Sequence, residues 1–206
     1  AYDHYSKLGA KVFLIPNAID ISSLPSGSDT RYENQIIFAG RLSKEKGILT
    51  ILEMAKNLPK DAHLIIIGSG PEESAVMECA KNTENVHFLG YQPKEKTIPL
   101  IRGSTLLIQP SFAEGISATL LESMACETPV IATNIGGNKE LLIHNKTGML
   151  IESGNSNELL KEIMNMLNDK DKREGIAKSA YDEVQKYDWS NVGQLYLNLY
   201  EKLLKS

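Results

Sequence analysis

Short, unbroken apolar runs alternate with longer stretches of helical period along most of this chain. The runs fall at residues 36–39, 63–67, 86–89, 106–108, 130–132 and 149–151. Between them, residues 48–57, 72–81, 93–102, 117–126 and 138–143 carry helical patterns. A strand covered on both faces needs apolar residues on both, so unbroken rather than alternating runs predict a parallel sheet flanked by helices. The alternation of strand and helix makes the fold class α/β, a doubly wound, Rossmann-like sheet. Ligands of such sheets bind beyond the carboxyl ends of the strands, where the loops bearing Gly40, Gly68, Gly90, Pro110 and Thr133 fall.

After Ser153 the pattern is helical, over residues 157–167, 171–187 and 191–204. Ser190 is the expected N-cap of the last helix, Trp189 beside it reads as a packing anchor, and Val192, Leu195, Leu199 and Leu203 form one apolar face. At the other end, residues 11–15 read as a short strand closed by Pro16-Asn17, and the polar stretch from Ile21 to Asn34 as a connector.

Composition narrows the function classes. At 206 residues, 42% apolar and 23% charged, the chain has the make-up of a globular protein with a sizeable core. No apolar run approaches the ~20 residues that span a bilayer as a helix. With 22 basic against 26 acidic residues the net charge is −4, which offers no general attraction for nucleic acid. Cys79 and Cys126 show neither metal spacing nor a disulfide framework, which favours a reducing, cytoplasmic setting with both as packing residues. The start Ala1-Tyr2-Asp3-His4-Tyr5 lacks the basic-then-apolar order of a signal peptide and has no initiating Met, so a longer parent protein is expected.

Three loops carry candidate chemistry. Gly40-Arg41-Leu42-Ser43-Lys44-Glu45-Lys46-Gly47 follows a strand and precedes a helix. Its Arg41 and Lys46 read either as a diphosphate site at a helix start or as a solvated charge cluster. Glu114 lies in the loop after the run ending at Gln109-Pro110, and Glu122 lies inside the next helix. Ser117 to Glu122 rises about 7–8 Å, so the two carboxylates read either as contacts to one elongated ligand or as a cap and a solvated face. Ile67-Gly68-Ser69-Gly70-Pro71 opens like a dinucleotide fingerprint, but Glu73 holds the place of the third glycine, which disfavours an NAD site. His4, His63, His87 and His144 are scattered without ligand spacing, so no metal and no catalytic triad are expected.

Taken together, Glu114, seven residues, Glu122, then Met124-Ala125, Pro129-Val130 and Gly136-Gly137, joined to Gly40-Arg41-Leu42 with Lys46-Gly47 and to Gly68-Ser69-Gly70-Pro71, resemble the donor-site core of the family 4 retaining glycosyltransferases. The resemblance covers about residues 11–205 and implies the C-terminal, nucleotide-sugar-binding half of a two-Rossmann (GT-B) enzyme. On it, residues 1–30 are a hinge and a remnant of the preceding domain, and 31–206 are the nucleotide-sugar domain with its C-terminal helices. The last of these would fold back towards the partner domain. The resemblance implies that Arg41 and Lys46 take the diphosphate with Gly40 turning the chain, that the amides near Gly115, Ile116 and Ser117 also meet phosphate, and that Glu122 takes the ribose hydroxyls. Glu114 would take the sugar hydroxyls and Tyr91 would lie against the base.

The implied substrate is a UDP- or GDP-sugar, the implied reaction a metal- and cofactor-free hexosyl transfer to a glycan or a lipid-linked sugar. Any membrane association, at the inner face, would run through the missing N-terminal domain, without which the chain is expected to be inactive. A stand-alone nucleotide-binding module and an NAD-dependent enzyme are the competing classes. Two departures stand out. Gly115-Ile116-Ser117-Ala118 replaces the family's Gly-Phe-Gly or Phe-Pro, which leaves sugar preference open. Glu127 replaces a common Gly, read as a surface change at a helix end.

Overall fold

The computed structural model describes residues 12–205. Six strands, β1 (Asn34–Ala39), β2 (Ala62–Ile67), β3 (Val86–Phe88), β4 (Leu106–Gln109), β5 (Val130–Thr133) and β6 (Met149–Ile151), form one sheet in the order β3-β2-β1-β4-β5-β6. Every pairing is parallel, as the unbroken apolar runs require. Successive side chains of a strand point to opposite faces, and here both faces are dry. Ile36, Phe38, Leu64 and Ile66 enter one core, while Ile37, Ile65, Ile67 and Leu107 enter the other.

Helices α1 (Ile48–Ala55), α2 (Glu73–Asn82) and α6 (Ser156–Asn168) cover the first face. Helices α3 (Lys94–Arg102), α4 (Ala118–Ala125), the short α5 (Asn138–Leu141) and the end of α7 (Lys170–Val184) cover the second. Each fully buried Leu or Ile contributes about 1.5–3 kcal/mol, so the two layers hold the sheet from both sides. The strand order reverses at β1 and β4, and their carboxyl ends open the crevice where ligands of such folds bind.

Three expectations are corrected. Residues 12–15 form no strand, and residue 11 lies outside the described residues. The neighbouring Ile19 instead bridges to the start of the last helix, with its N–H donating to Tyr187 O at 2.8 Å and its carbonyl accepting from Trp189 N at 2.9 Å. Helix α8 (Trp189–Leu204) begins before Ser190, because the Asp188 carboxylate accepts the Ser190 N–H at 2.9 Å and is the cap. Trp189 is 52% exposed rather than anchored in the core, and of its helix only Val192 is buried. The face read as folding back towards a partner domain is buried at Val192 and exposed at Leu195.

Glu127 is exposed at a helix end, as expected. It also adopts φ +56°, immediately after Cys126 closes α4, so this surface position is a left-handed helix terminus. Left-handed backbone strains a side chain that glycine does not have. Glu127→Gly should therefore raise unfolding stability by about 0.5–1 kcal/mol, less the entropy that glycine adds to the unfolded chain. Urea denaturation reads this directly, and an unchanged or lower midpoint would sink it.

Candidate functional site

The loop after β1 is held by backbone. Gly40 N donates to Ile67 O at 3.0 Å, Leu42 N to Ser69 O at 2.9 Å and Glu72 N to Leu42 O at 3.0 Å. Leu42 is fully buried and pins the loop. Gly68 (φ +140°) faces Gly40 O so closely that a Cβ would overlap it, and Gly70 meets Leu42 O in the same way. The Gly-Ser-Gly turn is thus accounted for by a close backbone approach to the neighbouring loop. A 3-10 turn over Lys44–Lys46 then ends at Gly47, whose left-handed φ of +73° sets the start of α1.

On the other side of the crevice, β4 ends in Gln109, and the following loop folds the Glu114 carboxylate inward to 7% exposure. One oxygen, Oε1, accepts from Lys46 Nζ at 2.6 Å, Ser111 Oγ at 2.7 Å and Gln109 Nε2 at 2.8 Å. The loop after β5 closes on this segment, Gly137 N donating to Glu114 O at 3.1 Å. Gly136 and Gly137 lie so near Glu114 O and Gly115 O that neither position has room for a Cβ. Gly115 is exposed, Ile116 half-buried, and the Ile116 carbonyl accepts from Asn17 Nδ2 at 2.8 Å.

Ser117 caps α4, its Oγ accepting from Leu120 N at 3.4 Å. Any helix start leaves its first N–H groups without intrahelical partners, so the turn opened by Ala118 and Thr119 favours an anion. One turn on, Glu122 Oε1 lies 3.4 Å from Lys94 Nζ. Burial pushes the Glu122 carboxyl above the usual range, and the Lys94 ammonium opposes that shift without cancelling it.

A cleft of about 540 Å³, lined by Gly40, Arg41, Gly68, Tyr91, Thr119 and Glu122 among others, lies across the carboxyl ends of the sheet. Its size falls within the ~300–1,000 Å³ of small-molecule sites. Arg41 is exposed, and Tyr91, 74% exposed, stands at the rim. Of the residues picked out from sequence, Gly40, Arg41, Tyr91 and Glu122 meet in this one cleft. Glu114 and Lys46 form a pair of their own beside it, and the Ser117 hydroxyl caps α4 while donating to Gln109 Oε1. Lys44 is exposed.

Sequence reasoning missed Gln109, Ser111 and Lys94. A polar residue closing an apolar strand was the available signal for Gln109; nothing in the pattern marked Lys94. Among the described residues no cluster of three or more His, Cys, Asp or Glu could hold a metal, and no helix is long and apolar enough to cross a membrane.

Residues 27–183 match the family described as "Glycosyl transferases group 1". A phosphatidyl-myo-inositol mannosyltransferase of Mycobacterium leprae is 26% identical over 208 residues, covering 97% of this chain and 56% of its own length. The crystal structure of Anabaena HepE in complex with UDP superposes with a TM-score of 0.87 at 21% identity, covering 98% of this chain and 61% of that one. The C-terminal domain of a group 1 glycosyl transferase from Francisella tularensis superposes with a TM-score of 0.73 at 23% identity, covering 82% of this chain and 98% of that one. At such identities the structures establish a shared fold. The chain spans about half the length of the curated relatives it matches, 48% and 56% for two of them.

Proposed function

The chain belongs to the glycosyl transferases group 1 family, and on that premise we propose that it is the donor-binding half of a GT-B glycosyltransferase of family 4, retaining and metal-independent, that moves a hexose from a UDP- or GDP-sugar. The observation that carries this reading is the convergence at the strand reversal of two cations, a helix start and two carboxylates with seven residues between them. Arg41, Lys46 and the first amides of α4 hold the diphosphate, Glu122 accepts the ribose hydroxyls, Tyr91 flanks the base and Glu114 accepts hydroxyls of the sugar. Charge on the departing diphosphate is then met by fixed donors and cations, the role a metal fills elsewhere. UDP in the Anabaena structure and the mannosyl transfer named for the Mycobacterium relative support a nucleotide-sugar donor. The acceptor, a glycan or lipid-linked sugar, is held by the other half of the enzyme, so transfer needs both halves.

Calorimetry with a nucleoside diphosphate and its nucleotide sugar tests the two carboxylates. Glu122→Ala should weaken both ligands by about tenfold or more, since hydrogen bonds to a charged group are worth ~1.5–3 kcal/mol. Glu114→Ala should weaken only the sugar-bearing ligand. Equal losses on both ligands for both variants would overturn the assignment. The pH profile adds a check. Because the Glu122 carboxyl is held above its usual range, binding should fall as pH drops through that raised value. The same shift means the ionised carboxylate costs folding stability as pH rises through it, so Glu122→Gln should melt higher than wild type at neutral pH while binding less nucleotide.

A further inference from the structure

We propose that Gln109 is a positioning residue for the donor sugar, orienting the Glu114 carboxylate and tying it to the N-terminus of α4; this rests on the sugar-binding role of Glu114 given above. Gln109 ends β4, whose other members Leu106, Leu107 and Ile108 are apolar and fully buried. Its side chain is itself buried, with the residue 4% exposed, a place where an apolar side chain of the same volume would serve the sheet as well. A buried amide persists where both of its ends are satisfied, and here both ends go to the site. Nε2 donates to Glu114 Oε1 at 2.8 Å, and Oε1 accepts from Ser117 Oγ at 3.0 Å.

The chemistry of the partners fixes the direction of this chain. An ionised carboxylate only accepts, so the amide nitrogen must face Glu114 and the amide oxygen must face Ser117. The Ser117 hydroxyl must then donate to Gln109, which leaves its lone pair for the Leu120 N–H at 3.4 Å. Leu120, Ser117, Gln109 and Glu114 therefore form a one-way line of donors running from the positive end of a helix to the carboxylate, each bond polarising the next.

The arrangement also explains how one carboxylate can serve a ligand. Lys46, Ser111 and Gln109 all bind Oε1, and among the described residues Oε2 accepts no hydrogen bond, so that oxygen keeps its lone pairs for sugar hydroxyls. Lys46 is also the cation assigned to the diphosphate. When a phosphate draws it away, Gln109 and Ser111 are the neutral donors that hold Glu114 in line. Ser111 is tied in turn, its carbonyl accepting from Thr133 Oγ1 at 2.6 Å.

The test is calorimetry of this chain with UDP and UDP-glucose, and with GDP and GDP-mannose, scoring the ratio of nucleotide-sugar to nucleoside-diphosphate affinity for the pair that binds. Gln109→Leu, matched in size but without a donor, should keep diphosphate affinity within about twofold and lower the ratio by about tenfold, the size of one hydrogen bond to a charged group. Gln109→Met is the second variant should leucine fail to fold, and melting curves accompany both. Added to Glu114→Gln, Gln109→Leu should lower the ratio no further, since the carboxylate it orients is already gone. If Gln109→Leu and Gln109→Met weaken both ligands alike, or leave the ratio unchanged while Glu114→Gln lowers it, the role of Gln109 is overturned and that of Glu114 stands. If Glu114→Gln leaves the ratio unchanged, or the wild type binds none of the four ligands, both readings fall.

Discussion

The double variant Arg41→Ala, Lys46→Ala should lose about a hundredfold or more in affinity for a nucleoside diphosphate, while its weak binding of the bare nucleoside hardly changes. Each cation makes charge-assisted contacts worth ~1.5–3 kcal/mol, so the pair accounts for a factor of about 10² to 10⁴. Removing Lys46 also strips the counter-ion from Glu114, a side chain only 7% exposed. Melting curves of each single variant, with Lys46→Gln as a milder change, separate lost stability from lost binding. Wild-type affinity should fall as salt rises, because Arg41 is exposed and screening acts over ~8 Å near physiological ionic strength. In a dehydrogenase the pyrophosphate would rest on the Gly68-Ser69-Gly70 turn and both cations would be idle. Undiminished diphosphate binding by the double variant in low salt would place the site elsewhere.

A second large effect is expected at Gly47. Two costs coincide there: the backbone is left-handed at φ +73°, and an added Cβ would run into the carbonyl oxygen of Pro110 across the crevice. Gly90 is a matched control, with φ +65° and nothing near its own Cβ position. Gly90→Ala should therefore cost about 1–2 kcal/mol, the left-handed strain alone. Gly47→Ala should cost about 3 kcal/mol or more, because backbone on backbone cannot yield without moving a loop. Urea denaturation of the two variants side by side measures the difference. Equal midpoints would mean that the loops after β1 and β4 are not held in contact at this point.

The sheet and its helices were legible because their signal is local. Each strand is an unbroken apolar run, and the helix ends predicted at residues 48, 93 and 117 fall within a residue of those observed. The misreadings arise where a distant partner decides. Val12–Ile15 have the look of a strand but pair with none of the six strands of the sheet, and the neighbouring Ile19 bridges instead to the start of α8. Asp188 and Ser190 are both good caps by type, and the backbone geometry before Trp189 chose the former. The candidate residues for the nucleotide were ambiguous by spacing alone and were assigned through the family resemblance, whereas the pairing of Lys46 with Glu114 and the contact of Lys94 with Glu122 cross 68 and 28 positions of sequence. No periodicity reaches that far.

Glycines at which one loop touches another, among them Gly68 on Gly40, Gly70 on Leu42, Gly136 on Glu114 and Gly137 on Gly115, divide the labour of change between two kinds of position. At the points of contact a methyl group has no room, so a new ligand preference cannot be written there without dismantling the frame. At Tyr91, Thr119 and Arg41 the side chains line the cleft, and a substitution alters what is recognised while the frame stands. On the proposed function, a preference for a different base or sugar is thus a matter of exchanging residues over a backbone that stays where it is, and the half-buried Ile116 position is one at which to test it.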